Sequence, residues 1–164
     1  MGTLVAVDAQ NLYYSARRAG GEVDYKRLWS LIQSREPESM SVVYLVRTRH
    51  HDSNGFEGLL RGLGYRLSTR MAERVQDEDG RPRLRFGNHD IRLSLEASIK
   101  YLDQYEKFVL VSGDSDFSDL FAHLKSCGKG TELWSFTGNI SPNYLQSVDR
   151  VDLLGSDMLQ AGDG

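Results

Sequence analysis

An alternation of short strand-like runs with stretches of helical periodicity constrains this chain more than any other feature of its sequence. The apolar run at residues 3–7 (TLVAV) reads as a buried strand, and 41–46 (SVVYLV), 65–69, 108–111 and 131–134 read as four further strands. Asn11 is placed to cap a short helix through Arg18, which Gly20-Gly21 breaks. A second helix, from about Asp24 to Ser34, has Tyr25, Leu28, Trp29, Leu31 and Ile32 as an apolar face. Phe56, Leu59, Leu60 and Leu63 repeat at helical spacing and end at Gly64. Ile91, Leu95, Ile99 and Leu102 predict an amphipathic helix, and Phe117, Leu120, Phe121 and Leu124 fall at i, i+3, i+4 and i+7. Ser141-Pro142 opens a short last helix, and residues 151–154 close the core. This alternation predicts an α/β fold, a single-domain three-layer sandwich whose parallel sheet is covered on both faces. The expected division is one domain over residues 1–155 and a flexible tail over 156–164. One segment breaks the alternation. Asp79-Gly80 is a turn signal between residues 71–75 and 83–86, which predicts a charged β-hairpin arm.

A parallel sheet of this kind binds ligands beyond the carboxyl ends of its strands, where the strand order reverses. Two segments deliver carboxylates there. In VAVDAQN, Asp8 directly follows an apolar strand; a helix cap and a cation ligand are both open readings of it. Asn11, three residues on, reads as a cap that could also touch a phosphate. In VLVSGDSDFSDLF, Gly113 permits an abrupt exit from the strand, and Asp114 and Asp116 then stand at a helix start. Helix starts favour negative charge, which explains one carboxylate. Two carboxylates plus Asp119 repel one another unless a cation lies among them, and the metal reading carries more weight here. In the third segment, NHDIRLSLE, Asp90 begins a helix, and Glu96 follows six residues later. Six residues turn a helix through about 600°, so two helical residues at that spacing point apart. Glu96 also stands four residues from both Arg92 and Lys100, the spacing of a surface ion-pair ladder.

The net charge of −3 argues against binding nucleic acid by bulk charge, but the arginines are uneven. Eight of them, from Arg61 to Arg92, fall in one middle segment. Arg47 and Arg49 follow the second strand at the same sheet edge, and Arg85 lies on the arm; all three are candidates for phosphate contacts. Ser112, at the exit of the fourth strand, is a candidate substrate contact. Trp134, Phe136 and Tyr144 read as core, with base stacking as the alternative. His50, His51, His89 and His123 read as solvent-exposed. The one cysteine, Cys127, excludes an internal disulfide and a cysteine-rich zinc site. The amino terminus lacks the basic region of a signal peptide, and no run approaches the roughly 20 apolar residues of a membrane span. A cytoplasmic protein with no membrane partner is expected.

Taken together, these motifs resemble the NYN domain, in the bacterial, LabA-like branch of the PIN-like nuclease superfamily. The resemblance runs over roughly residues 3–154. Its most specific piece is SGDSDF at 112–117, followed by the opening D-x-x-N of Asp8 and Asn11 and by an aspartate with a second acid six positions on, here Asp90 and Glu96. Family members often have Asp where this chain has Glu96, and a Lys-Gly pair where it has Asn88-His89. The resemblance implies a five-stranded parallel sheet in the order 3-2-1-4-5, which makes the first and fourth strands neighbours at the reversal. It also implies a divalent-metal-dependent nuclease, an endoribonuclease that uses Mg²⁺ or Mn²⁺. Asp8, Asp90 and Asp114 would hold the metal, Asp116 would complete the catalytic set, and Glu96 is a further candidate. The partner is nucleic acid, RNA in the first place; a homodimer is left open. The main alternative is a non-catalytic RNA-binding or scaffold module with the same fold. A haloacid-dehalogenase phosphatase needs a second Asp two residues after the first, where this chain has Gln10. A topoisomerase-primase site needs a glutamate where it has Asp8.

Overall fold

A computed structural model describes residues 2–47, 54–85, 89–112, 116–136, 140 and 142–162. In chain order the elements begin with β1 (Gly2–Asp8), α1 (Ala9–Arg18), β2 (Glu22–Val23), α2 (Tyr25–Arg35), β3 (Ser39–Arg47) and α3 (Asn54–Leu63). Next come β4 (Arg66–Met71), β5 (Glu73–Gln76), β6 (Pro82–Arg85), α4 (His89–Leu95) and β7 (Tyr105–Val111). The chain closes with α5 (Ser118–Ser126), β8 (Gly130–Ser135), α6 (Pro142–Ser147), β9 (Arg150–Leu153) and β10 (Leu159–Gln160).

The central sheet runs β4-β3-β1-β7-β8-β9, and every neighbouring pair in it is parallel. The expected five strands are there in the expected order. The sheet has six, because β9 adds one more parallel strand beside β8. That strand is only four residues long and alternates Arg150 and Asp152 with apolar residues, so it carries no continuous apolar signal.

Side-chain alternation along β1 divides the core in two. Leu4 and Ala6 pack with Leu93 of α4, with Ala97 in the turn that continues it, and with Phe121 and Leu124 of α5. Val5 and Val7 pack with Leu12, Ala16, Leu28, Ile32 and Leu60 from α1, α2 and α3. The strand order reverses between β1 and β7: the chain builds outward through β3 and β4, then returns to build β7, β8 and β9 on the other side.

Local chemistry sets the helix ends. Asp24 caps α2 by accepting from the backbone N–H groups of Lys26 and Arg27, both at 3.1 Å. Gly64 ends α3 at φ +120, and a Cβ there would stand 2.5 Å from Trp29 Cζ2, so neither conformation nor space admits another residue. Helix α1 begins at Ala9, so its cap is Asp8 and not Asn11, which lies inside the first turn.

The helix α4 departs from the expected face. Leu93, Ala97 and Tyr101 point inward, whereas Ile91, Leu95 and Ile99 are exposed. Two stripes of four-residue spacing compete on this segment, and the one containing the small Ala97 is the one that packs against the sheet. From Glu96 to Lys100 the helix widens into a π turn, with Tyr101 N–H donating to the Glu96 carbonyl at 2.8 Å.

The arm is present as an antiparallel pair, β5 with β6, apart from the main sheet. Its loop is held by Asp77, whose carboxylate accepts from the N–H groups of Asp79 (3.0 Å) and Arg81 (2.8 Å). Beyond Leu154, residues 156–158 form a 3-10 turn and β10 pairs antiparallel with β2, a local order that the polar end of the chain does not signal. Among the described residues no helix is long and apolar enough to cross a membrane.

Candidate functional site

Strand β1 ends in a carboxylate because its last residue is also the first turn's cap. Asp8 is 3% exposed and sits beside Tyr44 of β3, while its strand neighbour Val7 pairs with Val111 of β7. Asn11 donates both its backbone N–H (3.5 Å) and its side-chain amide to Asp8, and Ser112 Oγ donates to Asp8 Oδ2 at 3.1 Å. These donors are neutral. Burial pushes the Asp8 carboxyl above the usual carboxylate range, and the hydrogen bonds from Asn11 and Ser112 pull it partly back.

Asp90 comes to the same edge from α4. Its pKa is pushed up to about 6, first by burial and then by the negative charge of Asp8. Tyr144 of α6 senses the same cluster. Its hydroxyl, buried and accepting from Phe117 N–H at 2.5 Å, is raised mainly by burial, with Asp116, Asp90 and Asp8 adding to the effect. The sequence carried its alternative as a base-stacking residue, but the ring is core, as are those of Trp134 and, in part, Phe136.

Asp116 is exposed two residues before α5 and accepts from the backbone N–H of Ser118 (3.0 Å) and from its hydroxyl. Those bonds hold its carboxyl below the usual range. Asp114 and Arg49 lie outside the described residues, as does the side chain of Arg85 in β6.

The donors that do converge are hard carboxylate oxygens, and the charge of Asp8 raises the proton affinity of Asp90. That is the donor set and the electrostatic situation that a divalent cation relieves. Among the described residues no three His, Cys, Asp or Glu side chains are grouped to hold a metal ion, so the described part of the site is the pair Asp8 and Asp90.

With this geometry in place, comparison with known proteins is decisive for the family. Residues 2–153 match the NYN domain. The chain belongs to the NYN domain family. This NYN domain is similar to the low amplitude and bright protein LabA of Synechococcus elongatus, 27% identical over 153 residues that cover 91% of this chain and 82% of LabA. Its fold is that of a crystallised protein of unknown function from Vibrio parahaemolyticus, with a TM-score of 0.78 at 24% identity, covering 96% of this chain and 95% of that one. NYN domains form part of the PIN-like, nuclease-like superfamily; they are generally nucleases, their substrates are nucleic acids, and they generally use divalent metals.

Within the NYN domain, two residues differ from their sequence reading. His89, expected at the surface, is buried. Its Nε2 lies 2.6 Å from the Leu45 carbonyl oxygen and therefore donates to it, which fixes the tautomer. Burial lowers its pKa, keeping the ring neutral, and it tethers the start of α4, one residue before Asp90, to the end of β3. His123 is exposed as expected, while His50 and His51 lie outside the described residues. Glu96 is only 13% exposed at its side chain. It keeps the expected pair with Lys100, at 3.6 Å, and is also hydrogen-bonded with the Tyr44 side chain, so it lies partly under the helix and the expected ladder has only its Lys100 half. Arg92 turns away from it to donate to the Thr69 carbonyl at 3.0 Å.

Arg47 is at the sheet edge, where the sequence puts it, and is held there by a partner the sequence does not reveal. Its Nε donates to Glu57 Oε2 at 2.8 Å and a second nitrogen donates to Oε1, a two-pronged pair with a carboxylate that is 1% exposed. Arg61 approaches the same carboxylate at 3.8 Å. This pair forms one wall of a cavity of about 750 Å³ between α1, the start of α2, α3 and the end of β3. No motif marks that cavity. Its one sequence signal is the adjacent pair Tyr13-Tyr14 on a helix whose buried positions are Ala9, Leu12, Ser15 and Ala16.

Proposed function

We propose that this domain hydrolyses phosphodiester bonds in RNA, as an endoribonuclease that depends on Mg²⁺ or Mn²⁺. The observation that carries the reading is the meeting of Asp8 and Asp90 at the carboxyl edge, where the charge of Asp8 helps raise Asp90 to about 6. Two carboxylates held this way are costly to a structural edge and useful to a cation site.

In this reading Asp8, Asp90 and Asp114 hold the cation. Asn11 and Ser112 keep the Asp8 carboxylate turned toward it, through the hydrogen bonds described above, and lie within reach of a phosphate. Asp116, exposed at the start of α5, orients the attacking water. Arg47, Arg49 and Arg85 contribute phosphate contacts, and Glu96 supports α4 from beneath. When bound, the metal supplies positive charge to the phosphate and lowers the pKa of water. Water adds to phosphorus, the bond to the leaving oxygen breaks, and the water's proton passes to solvent or to that oxygen.

The direct test is incubation of labelled single-stranded and structured RNAs with the pure protein in Mn²⁺, Mg²⁺ or EDTA. Internal cleavage with either metal and none in EDTA is the expected result. RNA binding without cleavage in any condition would assign the domain to the non-catalytic binding class instead.

The arm supplies a second test. Arg81 and Arg83 are exposed on or beside β6, in the arm that leaves the carboxyl end of β4. Replacing Arg81, Arg83 and Arg85 by Ala should weaken RNA binding and flatten its salt dependence, by about 0.7 in log–log slope for each phosphate of a single strand that is no longer neutralised. A slope that stays the same would remove the arm from the RNA surface.

A further inference from the structure

We propose that the cavity behind Asp8 is a nucleobase site, which takes the base of a nucleotide whose phosphate lies at Asp8 and Asp90. The choice of ligand rests on the nuclease reading above; the preference for a flat aromatic ring rests on the cavity itself. At about 750 Å³ the space falls within the range of small-molecule sites. It adjoins the acidic edge directly. Ala9 and Gln10, the two residues after Asp8, form part of its wall, and so does Leu45, whose carbonyl receives His89 beside Asp90. A sugar-phosphate backbone passing over the ends of β1 and β3 therefore has the acids on one side and the cavity on the other.

The walls suit a base. Tyr13, Tyr14 and Phe56 line the cavity and are 49%, 50% and 39% exposed. Large rings kept half in water around a concave space leave apolar faces that a stacked ring would cover. Tyr25 packs edge-on against Phe56, with ring centres 5.3 Å apart, and its hydroxyl feels the charge of Asp8, so the aromatic lining reaches from the cavity to the acidic edge. Charge argues against a phosphate in this space. Arg47 and Glu57 on the walls engage each other, and of the other charged wall residues Glu22 and Asp24 outnumber Lys26. A neutral ring bearing amino groups meets those carboxylates without repulsion. Stacking on tyrosine and phenylalanine is open to any base, so the site would position the strand with little preference for sequence.

The test is a nuclear magnetic resonance titration of the metal-free protein, in EDTA, with the adenine trinucleotide ApApA and with the same ribose-phosphate trimer lacking all three bases. ApApA should bind roughly 5- to 100-fold more tightly than the abasic trimer, the scale of one stacked base. The shifts that depend on the base should fall on α1 and α3. Tyr14→Ala should remove most of that ratio, while Tyr14→Phe, which keeps the ring, should retain it. Tyr14 is half exposed on a helix surface, so the Ala variant is expected to fold, and its amide spectrum checks this. Equal affinity for the two trimers, base-dependent shifts elsewhere, or a ratio unchanged in a folded Tyr14→Ala protein would each overturn the proposal. Metal-dependent cleavage assayed in parallel keeps the two readings apart. Cleavage without a base-dependent ratio removes the pocket and leaves the nuclease; the ratio without cleavage removes the nuclease and leaves the pocket.

Discussion

Asp90→Asn is expected to abolish metal-dependent cleavage while producing a protein that melts higher than the wild type in metal-free buffer at pH 7. The loss should be at least about 100-fold, the scale for removing one preorganised group that handles charge in the transition state. The gain in stability follows from linkage. In the folded protein Asp90 ionises at about 6, against 3.8 as the ordinary value, so the folded state holds its proton more tightly than the unfolded state. Below about pH 3.8 the group is protonated in both states and costs nothing. As pH rises from there to about 6 the unfolded chain releases the proton first and stability falls; above about 6 the whole penalty is present. The full displacement corresponds to about 3 kcal/mol, and solvent screening of a half-buried group reduces it to about 1–2 kcal/mol. For a domain of this size that is roughly 2–8 °C in melting temperature. The difference between variant and wild type should therefore vanish by about pH 4. Adding Mn²⁺ should raise the wild type and leave Asp90→Asn nearly unchanged, because only a site that binds the ion gains from it. A variant that still cleaves, or that melts lower than the wild type at pH 7, would contradict this account of Asp90.

Asp8→Asn should lose cleavage to a similar degree but should not gain stability. Its carboxylate accepts from three donors, the Asn11 backbone, the Asn11 side chain and Ser112 Oγ. An asparagine offers one carbonyl oxygen and turns an NH₂ toward at least one of them, and a buried donor left unsatisfied costs about 1–3 kcal/mol. Relief of the carboxylate's own burial offsets part of that. The expected net is a fall of a few degrees in melting temperature, with Asp8→Ala lower again because α1 then loses its cap, worth about 1 kcal/mol. Thermal melts of the Asp8 and Asp90 variants side by side, in EDTA, check the contrast. A rise for Asp8→Asn matching that of Asp90→Asn would mean that the hydrogen-bond cradle contributes nothing.

Much of the fold could be read in advance because it is written in local periodicity. Strands β1, β3 and β7 are apolar runs with buried residues on both faces, and Phe117, Leu120, Phe121 and Leu124, at and just before α5, keep one helical spacing and are all buried. Asp8 and Asp90 could be brought to one edge by reasoning that one ends a strand and the other starts a helix. The unread features depend on partners far along the chain. Burial of His89 requires a carbonyl 44 residues away, and Arg47 is held by a glutamate whose burial no pattern announces. The inward face of α4 was hidden because Ile91, Leu95 and Ile99 look more apolar than the stripe containing Ala97, while close approach to the sheet favours the smaller side chain. The sixth strand, β9, was read only as a closing segment because alternating charge obscures it.

The double duty of Asp8 bears on how lineages of this domain would decay. A copy released from selection for chemistry has an easy first step at Asp90, where neutralising the charge strengthens the fold, and a hard one at Asp8, where a change disturbs the buried hydrogen bonds from Asn11 and Ser112 or the cap of the first helix. Retention of the opening D-x-x-N in a divergent copy therefore testifies to folding, whereas the residue that follows His89 testifies to activity. An otherwise intact homologue with Asn, Ser or Gly at that second position is the form in which an inactive descendant should first be found.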